Sequence, residues 1–242
     1  MEHELWLTAL FNDHLAGIGN TFLALVKMPA QDRPWANFVT MEMLAAVILM
    51  AVATLARSMF SVDKPGGLQH SFELLYEFLD AQAAENITHH REKYMAFFGT
   101  IFLFVLFSNL IGLVPGMESP TMFPSVPAGC AAATFVYYHI QGLREHGPLK
   151  YGMQFLGPMP LAAPLMFPIE VISHLARPLS LTIRLYANMY AGEMVTVVFL
   201  SMVPFAIPSL FMGLHFFVGF IQAYVFALLA MIYVGGAVSH EH

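Results

Sequence analysis

Beyond Arg184 the chain carries no lysine or arginine, and from residue 161 to residue 238 apolar side chains run almost unbroken in two stretches, split near Pro204 and Pro208. As helix, at about 1.5 Å per residue, residues 161–203 would extend roughly 60 Å and residues 209–238 roughly 45 Å. A bilayer's hydrocarbon core is only about 30 Å thick. Two stretches that overrun it predict two long helices inclined beyond the usual range of about 0 to 40°. The prolines between them break the helix, so the pair reads as a steeply tilted hairpin.

The remainder fits the same solvent. Of 242 residues, 58% are hydrophobic and 11% charged, well below the roughly 25% charge of a soluble domain. Residues 38–57, 95–117 and 126–143 each suit a membrane helix, and 95–117 holds no formal charge. Between them, "SFELLYEFLDAQAAENI" sets Phe72, Leu75, Tyr76, Leu79 and Ala83 at helical spacing against Glu73, Glu77 and Asp80. Residues 70–90 therefore read as an amphipathic helix on the membrane surface. The opening segment, residues 1–36, has an acidic start and no small-residue cleavage site, and is expected to belong to the mature protein on the outer side rather than to act as a signal peptide. The expectation is an all-α integral membrane protein, a single membrane domain over residues 1–242, with about five membrane helices plus the interfacial one.

Orientation follows from Arg57, Lys64, Arg91, Lys93, Arg144 and Lys150, which all fall on the loops after the first and third spans. The positive-inside rule puts those loops and the C-terminus in the cytoplasm and the N-terminus outside. The net charge of -6 leaves no basic surface for nucleic acid. Cys130, the lone cysteine, cannot form an intrachain disulfide and reads as a small core residue.

On a helix wheel of about 100° per residue with Arg184 at zero, Glu170, Ser173, Arg177, Ser180 and Asn188 all fall within about 40° of it. A ribbon of six polar side chains thus runs along an otherwise apolar helix. An arginine at bilayer depth costs from about 3 to more than 10 kcal/mol, and only i±3 and i±4 neighbours could offset this within the helix. Those positions hold Ser180, Leu181, Ala187 and Asn188, none anionic. Glu170 lies about 21 Å away along the axis, and Glu193 projects from roughly the opposite face. The counter-charge belongs either to another part of this chain or to another subunit, and the scarcity of acids at membrane depth favours the second. In the last helix His215, Gln222 and Tyr233 share a face. His215 and Glu193, on antiparallel neighbours, make a pair of the kind that relays protons.

"RPLSLTIRLYANMYAGE" (177–193), "HFFVGFIQAYVFALL" from His215, "SNLIGLVPG" from Ser108 and "SPTMF" from Ser119 carry a resemblance. The chain resembles subunit a of the F-type ATP synthase, the stator of its membrane proton channel, over roughly residues 94–242. The resemblance implies a proton-translocating, non-catalytic subunit in a multi-pass topology, in a bacterial inner (plasma) membrane, with no cofactor and no metal. It implies as partners the rotating c-ring, the peripheral-stalk b subunits, the remaining ATP synthase subunits and the lipid bilayer. By the same resemblance Arg184 faces the ring carboxylates, Asn188, Glu193, His215 and Gln222 line the outer half-channel, and Glu170, Ser173 and Ser180 line the inner one. A ring carboxylate opposite the arginine is held ionised, so it must release its proton before passing and regain one afterwards. The chain departs from the family where an acid commonly follows "PT": it reads Met122, Phe123, Pro124, and Glu118 is the acid at hand to replace it. The choice between protons and sodium ions is set mainly by the ring.

An intramembrane enzyme is a competing class. His89 and His90 are adjacent, "SHEH" lacks H-E-x-x-H spacing, and no G-x-S-x-G occurs, so no catalytic or metal-ligating residues are assigned. A stand-alone transporter would be expected to carry its own counter-ion for Arg184 and often a repeated architecture.

Overall fold

The computed structural model describes residues 4–25, 27–61, 66–87, 90–114, 116–154, 163–202 and 206–239. Among them are α1 (Trp6–Leu25), α2 (Asn37–Met59), α3 (Gly67–Asn86), α4 (Glu92–Ile111), α5 (Ser125–Gln154), α6 (Ala163–Met202) and α7 (Ala206–Val238), with a short 3-10 turn at Pro120–Met122 and no strand. Among the described residues three helical segments are long and apolar enough to cross a membrane: Asn37–Met59, Glu92–Ile111 and Ser209–Val238. The described residues are thus all-helical and of membrane type, and length with apolarity marks three spans among them where five are expected. The difference has a plain origin. The first half of α5 is rich in small and polar residues, and α6 carries Glu170, Arg177, Arg184, Glu193, Pro168 and Pro178.

Helices α4 and α7 form the centre. Phe98, Phe102 and Val105 of α4 meet Ala223, Phe226, Ala227, Ala230, Met231 and Val234 of α7, all at most 2% exposed. The alanines let the two backbones approach closely. Leu181, Leu185 and Met189, one helical turn apart on α6, bury against the same core. Their spacing of four is why a helix with so many polar residues still has one continuous packed face.

The sequence suggests that "REHGPLK" closes the third span as a loop; helix continues to His146, but the chain breaks at Gly147 and folds back, so that the Tyr151 ring lies against Gly142. The break is confined to Gly147, whose φ of 76° lies in the left-handed region, and the helix resumes at Pro148. Glycine takes that φ without steric cost, and proline suits the first turn of a helix. The second span ends as a helix at Ile111 and turns at Gly112 rather than continuing to residue 117.

Amphipathic α3 buries Leu79 and Ala83 and leaves Glu73 and Glu77 outside. Tyr224 of α7 donates its hydroxyl to Gln82 Oε1 at 2.8 Å. The end of α3 is tied to the start of α4 by Arg91, which grips Asp80 through Nε (2.7 Å) and Nη2 (3.0 Å). At the other end, α1 is tied to α2 by the Thr8–Thr40 hydroxyl pair at 2.7 Å, and Asn12 clasps the backbone of Trp35 from both sides.

Candidate functional site

Two sequence segments far apart in the chain meet in a buried polar knot. Asn109, near the end of α4, donates its amide to the Gly219 carbonyl at 2.9 Å, and Thr121 donates to Asn109 Oδ1 at 2.6 Å. Ser119 shares a 2.7 Å hydroxyl contact with Thr121 and donates to the Ser108 carbonyl at 3.0 Å. Ser108, Asn109, Ser119 and Thr121 are fully buried. Hydrogen bonds to carbonyls and to one another are what make the Asn109, Ser119 and Thr121 side chains tolerable there, while the Ser108 hydroxyl has no hydrogen-bond partner among the described residues. The knot fixes the loop after α4 against α7, and so positions Glu118.

Beside the knot lie Glu193 and, on α7, His215, and no hydrogen bond or ion pair joins the two. The Glu193 carboxylate meets the backbone amide of Ser119 and stands near the Glu118 carboxylate. Glu118 in turn receives a long 3.5 Å bond from Asn37 Nδ2 of α2. His215 is 7% exposed and packs against the backbone of Gly192, the residue before Glu193. Oε2 of Glu193 and Nε2 of His215 are buried without a hydrogen-bond partner among the described residues. One turn on, Asn188 donates to Gln222 Oε1 at 3.0 Å, joining α6 to α7. The structure therefore gathers Asn188, Glu193, His215 and Gln222 along one α6–α7 seam.

Arg184 lies on the margin of that seam. It is exposed, and among the described residues it makes no hydrogen bond and no ion pair. On one side of it are the packed Leu181, Leu185 and Met189; on the other an apolar face stands open, with Ile172, Leu179, Ile183, Tyr190 and Val197 between 42% and 65% exposed. Ser173 and Ser180 are exposed on the same ribbon, and Ser180 spends its hydroxyl on the Arg177 carbonyl at 3.0 Å.

Toward the start of α6 the ribbon divides. Arg177 turns inward, its guanidinium 5.2 Å from the ring centre of Tyr233 and 5.9 Å from that of Tyr138. Cation–π contact of this kind holds a charge without a carboxylate. Glu170 is half-buried and pairs with His174, Oε1 to Nε2 at 3.2 Å. No group of three or more His, Cys, Asp or Glu among the described residues is placed to hold a metal.

Comparison with known proteins adds to this geometry. The family model described as "ATP synthase A chain" matches residues 38–235. The ATP synthase subunit a of Solibacter usitatus is 60% identical over 96% of this chain and 100% of its own length. That of Koribacter versatilis is 47% identical over the full length of both, and ATP synthase subunit a 1 of Syntrophotalea carbinolica is 45% identical over 84% of this chain and 86% of its own. The chain belongs to the ATP synthase A chain family.

The stretch matched to the family begins in α2 and ends in α7, so it takes in the knot, the seam and the whole ribbon. Within this family member, sequence reasoning singled out the nine ribbon and seam residues but not Asn109, Ser119 or Thr121 as a unit. Their signal was present: two of the four motifs quoted for the resemblance, "SNLIGLVPG" and "SPTMF", contain them. What no spacing rule could supply was that they join each other. Tyr138 and His174 were missed as well. His174 falls about 80° from Arg184 on the helix wheel, outside the ribbon and toward the packed face.

Proposed function

We propose that the chain is the proton-translocating stator subunit of an F-type ATP synthase membrane sector, in a bacterial inner membrane, and that Arg184 faces the carboxylates of a rotating c-ring. The supporting observation is a single one: an exposed guanidinium with no partner among the described residues, beside an open apolar face of α6. A permanent charge at membrane depth needs an anion, and an open apolar flank fits a neighbouring helix that brings one. A ring carboxylate drawn to Arg184 stays ionised. It releases its proton to one half-channel, passes, and takes another from the second, so ion flow requires rotation.

In this reading Asn188, Glu193, His215 and Gln222 line the outer half-channel, with Glu118 as its inlet acid in place of the one missing after "PT". Buried polar atoms that no side chain satisfies suit a water-lined path. Glu170, Ser173 and Ser180 line the inner half-channel. Residues 1–242 act as one membrane domain of five spans: α5 and α6 cross as well as α2, α4 and α7, and α6 with α7 forms a tilted hairpin around the ring. The N-terminus is outside and the C-terminus cytoplasmic. The subunit makes and breaks no bond to substrate, and its other partners are the peripheral-stalk b subunits and the remaining synthase subunits. Each proton crossing about 100 mV releases about 2.3 kcal/mol to the rotor.

The experiment is a cross-link. Asn188→Cys in the assembled complex, paired with a cysteine next to the carboxylate on the ring's outer helix, should form a disulfide on oxidation. Failure to cross-link in an assembly that still pumps protons overturns the reading.

A further inference from the structure

His174 sits between two partners. Its Nε2 is 3.2 Å from Glu170 Oε1, one turn earlier on α6, and its Nδ1 is 3.0 Å from the hydroxyl of Tyr138 on α5. The imidazole side chain is 12% exposed and the carboxylate 36% exposed, so the carboxylate is the more open of the two to solvent. Around the imidazole stand Arg177 and Glu170 from α6, and His139, whose ring centre is 5.3 Å away, with Tyr138 and Tyr151 from α5. From α7 comes Tyr233, stacked on Arg177 and 6.0 Å from the Tyr138 ring.

A neutral imidazole has one donor and one acceptor nitrogen. Beside an ionised Glu170, Nε2–H donates to the carboxylate and Nδ1 accepts from Tyr138. When Glu170 holds a proton, its O–H donates to Nε2, and Nδ1–H donates to the tyrosine oxygen. Both states keep every group bonded, because the tyrosine hydroxyl can act in either sense. A proton can also cross outright: the Glu170 O–H bond breaks, the Nε2–H bond forms, and an imidazolium–carboxylate pair results with no change in total charge. Arg177 is a fixed cation one turn away, which favours onward release of that proton over storage.

We propose that His174 is a proton-exchanging partner of Glu170 in the inner half-channel, with Tyr138 as the positioning residue that lets the imidazole change its donor nitrogen. The inference rests on the proposed function and extends it to two residues outside the polar ribbon. Its mark is a dependence on inner pH that belongs to the Glu170–His174 pair and is not felt from the outer side.

The test uses the complete synthase reconstituted in liposomes, with ATP-driven and passive proton flow measured while inner or outer pH is varied separately. His174→Gln should lower flow roughly tenfold and move the midpoint of the inner-pH profile by about half a unit or more, leaving the outer-pH profile in place. Flow that falls by one factor at every inner pH, with the midpoint fixed, marks a structural role and overturns the proposal. Should His174→Gln fail to assemble, Tyr138→Phe removes only the hydroxyl: it should shift the same midpoint, and an unmoved midpoint is equally fatal. Arg184→Ala run in parallel separates the two readings, since coupled pumping retained in that variant defeats the proposed function and not the His174 assignment alone.

Discussion

The imidazole of His215 occupies the space that a side chain at position 192 would fill: a Cβ on Gly192 would stand 2.5 Å from His215 Nδ1. Glycine is demanded there by its neighbour, since Gly192 lies within regular helix. Gly192→Ala should displace the ring and cost about 1–3 kcal/mol through overpacking. In a double-mutant cycle on thermal stability in detergent, that cost should largely vanish in a His215→Ala background. Equal losses in both backgrounds would show that the two residues do not press on each other.

Arg184 contributes little to the fold, because nothing among the described residues binds it. Arg184→Ala should not lower the stability of the subunit, since it breaks no hydrogen bond or ion pair among the described residues and removes a charge that is costly at bilayer depth. ATP-driven proton pumping by the assembled complex should meanwhile drop to background. A variant that pumps normally would remove the charge from the mechanism.

The amide of Asn109 serves two partners at once, the Gly219 carbonyl and the Thr121 hydroxyl. Asn109→Ala removes both bonds, while the Thr121 hydroxyl keeps its Ser119 contact and the Gly219 carbonyl its helical N–H, so the cost should be about 0.5–1.5 kcal/mol for each bond lost. Asn109→Asp keeps the acceptor for Thr121 and should lose less of that contact, though it places a carboxylate against the Gly219 carbonyl. Melting of the purified subunit should rank wild type above both variants, and protease should cut first in the loop after α4.

Arg91 holds the Asp80 carboxyl below its ordinary value, chiefly by hydrogen bonding and then by charge. A carboxyl lowered in the folded state contributes stability above its unfolded value, about 3.9, and loses it as pH falls through the lower folded value. Acidification below about pH 4 should therefore loosen the junction of α3 with α4 ahead of the core, seen as faster hydrogen exchange around residues 86–94. Asp80→Asn should show the loosened junction already at neutral pH, with no acid step of its own.

Helix type and order were legible from periodicity and apolar run length, because a membrane leaves few alternatives to a helix. The ribbon on α6 was legible for the same reason: a polar residue at a fixed angle stands out against Leu, Ile and Val. Spans 126–143 and 161–203 were less secure guides, since Tyr, His, Pro and charged residues dilute their apolar content without ending the helix. The Glu170–His174–Tyr138 contact was hidden because its third member lies on another helix. Gly192 gave no sign at all; a glycine in a helix looks permissive until the neighbour that fills its place is seen.

The bond from Asn109 to the Gly219 carbonyl has a mechanical consequence. Any body turning against the open flank of α6 drags that helix sideways with an equal reaction, and a long helix held only at its ends would bow under the load. Clamping α7 by its main chain to the end of α4, midway along the length of α7, shortens the lever and passes the strain into the packed core that α4 and α7 share with α6.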